Sequence, residues 1–423
     1  MTAGLFEQVL SAGNMTAALR RVRANKGSHG LDGMKVEELP AYLSTAWPTI
    51  KQSLLEGTYV PQPVRRVEIP KPDGGVRLLG IPTVVDRLIQ QALLQVLSPI
   101  FDEGFSEHSY GFRPGRRAHD AVKAAQRYIQ EGYGWVVDID LEKFFDRVNH
   151  DKLMARFVRR VSDKRVCALV RKYLESGVLV NGVCLTSDEG TPQGGPISPL
   201  LANIMLDDLD KELEKRGHRF CRYADDCNIY VGSRRAGERV MRSISRYIRD
   251  RLSLTVNEGK SAVDRPWNRK FLGFSFYAGK QGIGIRIHPK SVARLKAKVR
   301  SATNRNRSMS MEERLKRLNS ITMGWVNFFW LADAKGLFRD LDQWIRRRIR
   351  ACYWKQWKRI GARHDNLVGL GIDDSQAWRW ANSRKGCWRI AGSNILTISL
   401  TNAYLEGQGF ASLSKRYSEW KYS

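Results

Sequence analysis

Apolar and polar positions divide the chain into a mixed front and a helical back. Residues 1 to 60 carry helical spacing with basic punctuation, interrupted by the glycine-rich stretch Asn25-Lys26-Gly27-Ser28-His29-Gly30-Leu31-Asp32-Gly33. From Tyr59 the pattern becomes extended. Val64 to Pro70 alternates, Lys71 to Gly75 supplies turn residues and Val76 to Gly80 returns, which predicts a β-hairpin. Asp86 to Leu97 shows a helical stripe of Leu88, Ile89, Ala92, Leu93 and Val96 that should face a core. Trp135 to Leu141 reads as an apolar strand interrupted by Asp138 and Asp140, and a helix capped by Asn149 or Asp151 should start near Lys152. The Gly/Pro-rich run Glu189 to Pro199 precedes a helical pattern from Leu200 to Leu213. Phe220 to Tyr223 and Cys227 to Val231 read as a second hairpin with Asp225 and Asp226 at or beside its tip. Phe271 to Phe274 is a short apolar turn between strands.

Beyond about residue 285 the period is helical. Met323, Val326, Phe329 and Trp330 share one side, then Trp344, Ile345, Ile349, Tyr353 and Trp357, and such stripes predict core. A last unit, 363 to 423, keeps Trp378, Trp380 and Trp388 in shorter segments. No internal repeat or low-complexity linker stands out.

Composition changes this picture in one respect. The 423 residues leave room for two to four structural units, and 42% hydrophobic with 27% charged residues is globular. The net charge of +28 is an argument about partners: nucleic acid first, an anionic membrane surface as the competitor. Residues 291 to 360 hold 18 Lys/Arg against 5 Asp/Glu, so Arg346, Arg347, Arg348 and Arg350 are read as a basic face over the aromatic core. No apolar run approaches the ~18 residues of a spanning helix, and MTAGLFEQVL lacks a signal pattern, so a cytoplasmic location is expected. The cysteines (167, 184, 221, 227, 352, 387) show no C-x-x-C pairing and are read as reduced core thiols.

The acidic residues carry the chemistry. Asp225 and Asp226 alone are compatible with an ordinary exposed turn. Asp140, at the end of an apolar strand 85 residues earlier, changes the weighing, because buried strands do not carry carboxylates without matching cations. Carboxylates from separate strands converging on two cations about 3.5–4 Å apart suit phosphoryl transfer. Asp138 stays open between ligand and supporting position. Lys71 and Arg77 suit an incoming triphosphate, or simply guard an edge strand. The Lys26 loop suits close approach to a template phosphate, or a flexible connection. Arg113 and Arg116, interleaved with Tyr110 and Phe112, suit stacking and phosphate contact, with a plain structural loop as the alternative. Gln193 stands beside whatever the Gly/Pro loop borders.

In order along the chain, IPKPDGGVRLLGIP at 69–82, SYGFRPGR at 109–116, DLEKFF at 140–145, TPQGGPISPLLANI at 191–204, YADD at 223–226 and FLGF at 271–274 resemble a group II intron-encoded reverse transcriptase/maturase. The resemblance implies an α+β right-hand polymerase: fingers, a palm with an antiparallel sheet, a helical thumb and a small C-terminal DNA-binding region. The implied boundaries are 1–60 for an N-terminal extension and template loop, 61–135 for fingers and 136–284 for palm. A thumb/maturase region at 285–362 and a DNA-binding region at 363–423 follow. It also implies catalytic and metal-binding roles for Asp140, Asp225 and Asp226 with two Mg²⁺ ions (Mn²⁺ as substitute), and a supporting role for Asp138. Lys71, Arg77, Phe145, Gln193 and Lys260 become dNTP contacts, Phe145 excluding the ribose 2′-hydroxyl. Phe271, Leu272, Gly273 and Phe274 become a primer grip. Lys26, Arg113, Arg116, Arg346, Arg347 and Arg350 become template or RNA contacts. Implied partners are an RNA template, the intron RNA, a DNA primer or target and dNTPs, with the protein a monomer or homodimer. Many relatives carry an endonuclease with cysteine pairs and histidines; its pattern is missing here, so the resemblance is to a compact bacterial subclass. The expected function is RNA-directed DNA synthesis with splicing and retrohoming. The alternatives are a group II-like reverse transcriptase in host DNA repair and a non-catalytic RNA-binding splicing factor.

Overall fold

The computed structural model describes residues 4–70, 75–180, 183–185, 190 and 194–422, with only the backbone described at 77, 178–180, 183–185 and 422. The chain divides into two compact units, 1–269 and 270–423. The Phe271–Phe274 turn and the hairpin after it therefore fold with the second unit, although the sequence reading placed them with the palm up to residue 284.

In the first unit the strands are β1 (Val64–Pro70), β2 (Val76–Ile81), β3 (Trp135–Ile139), β4 (Val178–Val180), β5 (Val183–Leu185), β6 (Arg219–Tyr223), β7 (Asp226–Val231) and β8 (Ala262–Asp264). β1 and β2 form the expected hairpin, with Pro70 opposite Val76, in a sheet of order β2-β1-β4-β5. The second sheet has the order β6-β7-β3-β8, every pair antiparallel.

Strand alternation gives this second sheet two different faces. Val137, Ile139, Cys227, Ile229 and Val231 share one face and are buried in the main core. They pack in one cluster with Leu88, Ile89 and Leu93 of the Val84–Asp102 helix and Leu201, Met205 and Leu209 of the Ser198–Lys215 helix. The other face carries Asp138 and Asn228, with Tyr230 covered by Tyr128 of the Ala118–Gln130 helix at 5.8 Å. Asn149 caps the His150–Phe157 helix through Lys152 N, while Asp151 pairs with Arg171 at 2.6 Å. The capping question is thus settled for Asn149.

The second unit opens with the hairpin β9 (Phe274–Gly279) and β10 (Gly282–Ile287), followed by helices Pro289–Ala302, Met311–Phe329 and Lys335–Gln356 and by shorter ones. Val326, Phe329, Ile345, Ile349, Tyr353 and Trp357 are buried, as their stripes predict, and Phe338 stacks on Tyr417 at 4.6 Å. Met323, Trp330 and Trp344 of the same stripes are only half-buried. Trp344 is ringed by Lys296, Arg300 and Arg348 at 5.9, 5.7 and 5.3 Å. Cys167, Cys221, Cys227, Cys352 and Cys387 are free thiols. Among the described residues no helix is long and apolar enough to cross a membrane.

Candidate active site

The register of the second sheet builds the acidic site. Ile139 pairs with Cys227 in the β3–β7 ladder, so the next step beyond the strand sets Asp140 opposite Asp226. Residues facing across such a ladder lie about 4.5–5.5 Å apart at Cα. Tyr223 pairs with Asp226, which leaves Ala224 and Asp225 as a two-residue turn, with Ala224 at φ 57°. Asp140 and Asp225 are half-exposed and Asp226 is exposed. Cys227 points to the opposite face, where burial pushes its thiol well up, so it stays protonated.

A loop beside Asp140 fixes its backbone. Ser261 Oγ accepts from Asp140 N at 3.0 Å, and Asn257 N donates to Asp140 O at 2.8 Å. Lys260, in the same loop, holds Nζ 3.7 Å from Asp140 Oδ2, with 62% of its side chain exposed. Asp138 faces the same way as Asp140 but is bound to Arg269, whose Nε and Nη2 reach Oδ2 at 2.8 and 2.6 Å. Arg269 Nη2 also donates to Lys260 O at 2.7 Å. Asp138 therefore supports the loop that carries Lys260.

The hairpin tip rests on a buried polar network that motif reading does not single out. Arg222 donates to both carboxylate oxygens of Asp210 (2.7 and 2.5 Å), to Asn203 Oδ1, to Ser109 Oγ and to the carbonyl of Ala224 at 2.9 Å. Asn203 Nδ2 in turn donates to Gly111 O at 2.9 Å. A Cβ on Gly111 would lie 2.4 Å from Ala224 N, so only glycine lets the 109–116 loop touch the tip. The available signal was YADD preceded by Arg in a strand whose neighbours are apolar.

That packing corrects one expected contact. Arg113 is buried, its guanidinium bound to Asp102 Oδ1 and O and to the carbonyls of Ser106 and Ser109. It is a strut of the loop, with no face left for a template. Arg116 is held by Glu107 through Oε2 and O. Phe112, at φ 56° and exposed, is the loop's outward aromatic, 5.9 Å from Tyr223.

Phe145 lies in the short 3₁₀ turn Phe144–Asp146 after Asp140, half-buried and edge-on to Phe144 at 5.1 Å. Lys26 is exposed at the end of the Ala12–Asn25 helix, in a loop tied down by Arg65 to His29 O and by Arg87 to Ser28 O. Lys71 and Gln193 lie outside the described residues, as does the side chain of Arg77.

In the second unit, Phe271 and Phe274 exchange backbone hydrogen bonds of 3.0 and 2.9 Å, and Leu272 and Gly273 take φ of 50° and 87°. Both phenylalanines are buried, so only the turn backbone and Leu272 face outward. Arg350 is a second correction to the basic face: it is buried, bonded to Leu400 O and Asn402 Oδ1, and burial together with Arg346 lowers its pKa to about 10. Arg346 is half-exposed, and Arg347 stacks on Trp388 at 4.2 Å.

Among the described residues no three His, Cys, Asp or Glu side chains converge closely enough to hold a metal ion by themselves. The donor set at Asp140, Asp225 and Asp226 is all carboxylate and open to solvent. It fits a hard cation that keeps several waters and shares oxygens with a phosphate substrate.

An antiparallel sheet presenting acids from two neighbouring strands at one end has the arrangement that phosphoryl transfer of polymerase type requires. Residues 69–276 match the reverse transcriptase (RNA-dependent DNA polymerase) family, and residues 292–369 match the group II intron maturase-specific domain. The chain belongs to the group II intron reverse transcriptase/maturase family. It is 41% identical over 208 residues to the protein YkfC of Escherichia coli, covering 48% of this chain and 55% of that one. It is 38% identical over 208 residues to the group II intron-encoded protein LtrA of Lactococcus lactis, covering 49% and 34%. The putative COX1/OXI3 intron 2 protein of Saccharomyces cerevisiae is 34% identical over 195 residues, covering 45% and 22%. The matched stretch thus spans about half of the first relative and a third of the second. A solved partial Cas6-RT-Cas1–Cas2 complex aligns over 58% of this chain and 42% of that one, at 25% identity and TM-score 0.38.

Proposed function

We propose that the chain is an RNA-directed DNA polymerase that also binds a group II intron RNA to promote splicing and intron mobility. The observation that carries the reading is the β3–β7 register, which sets Asp140 beside Asp226 with Asp225 in the adjoining turn. In the reaction, a primer 3′-hydroxyl attacks the α-phosphorus of a dNTP, a new P–O bond forms, and the bond to the leaving pyrophosphate breaks. Asp140, Asp225 and Asp226 would hold two Mg²⁺ ions, which lower the pKa of the attacking hydroxyl and offset charge on the leaving oxygens.

The remaining work falls to the chain's own groups. The Asp140 backbone is held by Ser261 and Asn257, which fixes the point from which its carboxylate projects. Lys260 Nζ stands at the edge of the acids, where a triphosphate would need countercharge. Arg222 holds the Ala224 carbonyl and with it the turn that presents Asp225. Phe145 packs beside the acidic strand end as the group that would meet the sugar. Lys71, Arg77 and Gln193 complete the proposed dNTP contacts, the Phe271–Phe274 turn the proposed primer grip.

Primer extension on an RNA template tests the proposal. Asp225→Ala is expected to abolish extension while RNA binding by filter retention stays within about twofold. Extension at the unaltered rate by that variant would remove the metal-site assignment.

A further inference from the structure

The second unit carries a cluster of cations that the polymerase reaction does not use. Thr303, Arg305, Arg348, Ala351 and Trp388 line a small cavity between the end of the Pro289–Ala302 helix, the Lys335–Gln356 helix and the Cys387–Ile390 turn. Arg347 and Arg348 flank the Trp388 ring at 4.2 and 6.0 Å. Arg347 also donates to the Trp388 carbonyl through Nε and Nη2, which holds its guanidinium against the indole. The ring is nevertheless 39% exposed.

Charge in this cluster is unbalanced. Among the described residues, no ion pair involves Arg300, Arg305, Arg347 or Arg348. Burial, with Arg300 and Arg305 close by, holds the Arg348 guanidinium below its ordinary range. Its Nε donates to Thr303 Oγ1 at 2.6 Å and its Nη2 to the Arg300 carbonyl at 3.5 Å, which leaves Nη1 as the end of the fork for an incoming group. Guanidinium groups gathered without carboxylates favour an incoming oxyanion. A half-exposed indole beside them favours a flat ring. One ligand supplies both at that spacing: a nucleotide, its phosphate among the arginines and its base on the tryptophan.

We infer that the Thr303–Arg305–Arg348–Trp388 cavity, at about 30 Å³ too small for a base, marks the phosphate end of a surface pocket for one unpaired nucleotide of a bound RNA, whose base lies on the exposed part of the Trp388 ring. This deepens the RNA-binding part of the proposed function and rests on it. A duplex cannot use the pocket, since its bases are stacked on each other. The pocket therefore selects a loop, bulge or single-stranded junction, where an unstacked base is available. Most of its lining lies within the maturase-specific match at 292–369, and Trp388 comes from beyond it.

The test uses the full chain and follows Trp388 emission as the difference from the Trp388→Phe variant. Adenosine 5′-monophosphate is expected to quench that difference signal, with adenosine and inorganic phosphate each at least about tenfold weaker. Arg305→Ala is expected to weaken the mononucleotide about tenfold with the helical circular dichroism unchanged, and Trp388→Ala to weaken a single-stranded RNA pentamer by a similar factor. Equal quenching by inorganic phosphate and the mononucleotide would overturn base stacking. A deoxyribopentamer binding as tightly as the RNA, or an acidic peptide competing equally, would overturn the assignment to RNA. If long intron RNA is retained on filters while no nucleotide perturbs Trp388, this pocket is refuted and the proposed function stands. If long RNA is not retained either, the RNA-binding reading falls with it.

Discussion

Two aspartates two residues apart on one strand meet different fates, and the difference defines the site. Asp138 is gripped by Arg269 at 2.6 Å, so its charge is matched inside the protein. Asp140 lies one step past the strand, with Lys260 as a looser neighbour at 3.7 Å, open to a further cation. At the same scale, Arg222 and Asp210 are both fully buried. Removing one partner of such a pair leaves an uncompensated charge at a cost of about 3–5 kcal/mol. Asp210→Ala is therefore expected to lose about that much in denaturant unfolding. The double change Arg222→Met with Asp210→Leu should recover much of the stability but not primer extension, because the Ala224 carbonyl then has no donor. Recovery of both would reduce the network to packing. Phe145→Ala is expected to admit ribonucleotides in primer extension; unchanged sugar discrimination would refute the gate.

At the scale of elements, the hairpins were the most legible part of the sequence. Alternation with a two-residue polar turn leaves little freedom, and β6–β7 forms with Ala224 and Asp225 as its turn. The Arg234–Tyr247 helix buries Gly237, Val240 and Ile244. A different kind of contact joins the helices Ile360–Gly369 and Asp374–Ala381. His364 stacks on Trp378 at 4.0 Å, and its ring nitrogens lie 3.0 Å from Asp365 and 2.8 Å from Asp374. Hydrogen bonding to Asp365 and then to Asp374 raises its pKa above 6.5. A raised folded value means stabilisation that is complete below the unfolded value and disappears as pH rises through the folded one. The two helices should therefore be held more firmly near pH 6 than near pH 9. Trp378 emission should report a titration that His364→Ala abolishes. A pH-independent signal in the unaltered chain would contradict the clamp.

For the whole molecule, the formal charge of +28 sets the kind of interaction to expect. Binding through 6–10 phosphates should weaken by roughly 10³–10⁵ between 50 and 200 mM salt. Filter binding at several salt concentrations measures the slope; a flat response would argue against phosphate-dominated contact. The sequence by itself determined two hairpins and the strand between them, the positions of the three acids and the strong positive charge, while the short strands β4, β5 and β8 carry too few residues for a pattern. These are local or additive properties: alternation is set by strand geometry, and carboxylates in an apolar run are conspicuous wherever they fold. The fate of individual arginines was decided only by tertiary structure. Arg113 and Arg350 look like surface cations in sequence, yet one is captured by Asp102 and the other by the Leu400 carbonyl, 50 residues away. A long basic side chain takes its role from whichever acceptors the fold brings within hydrogen-bond reach, whether a loop folded back on itself, as for Arg113, or a distant segment, as for Arg350. The Trp388 cavity arises the same way, from residues 303, 305, 348, 351 and 388, which no local pattern connects.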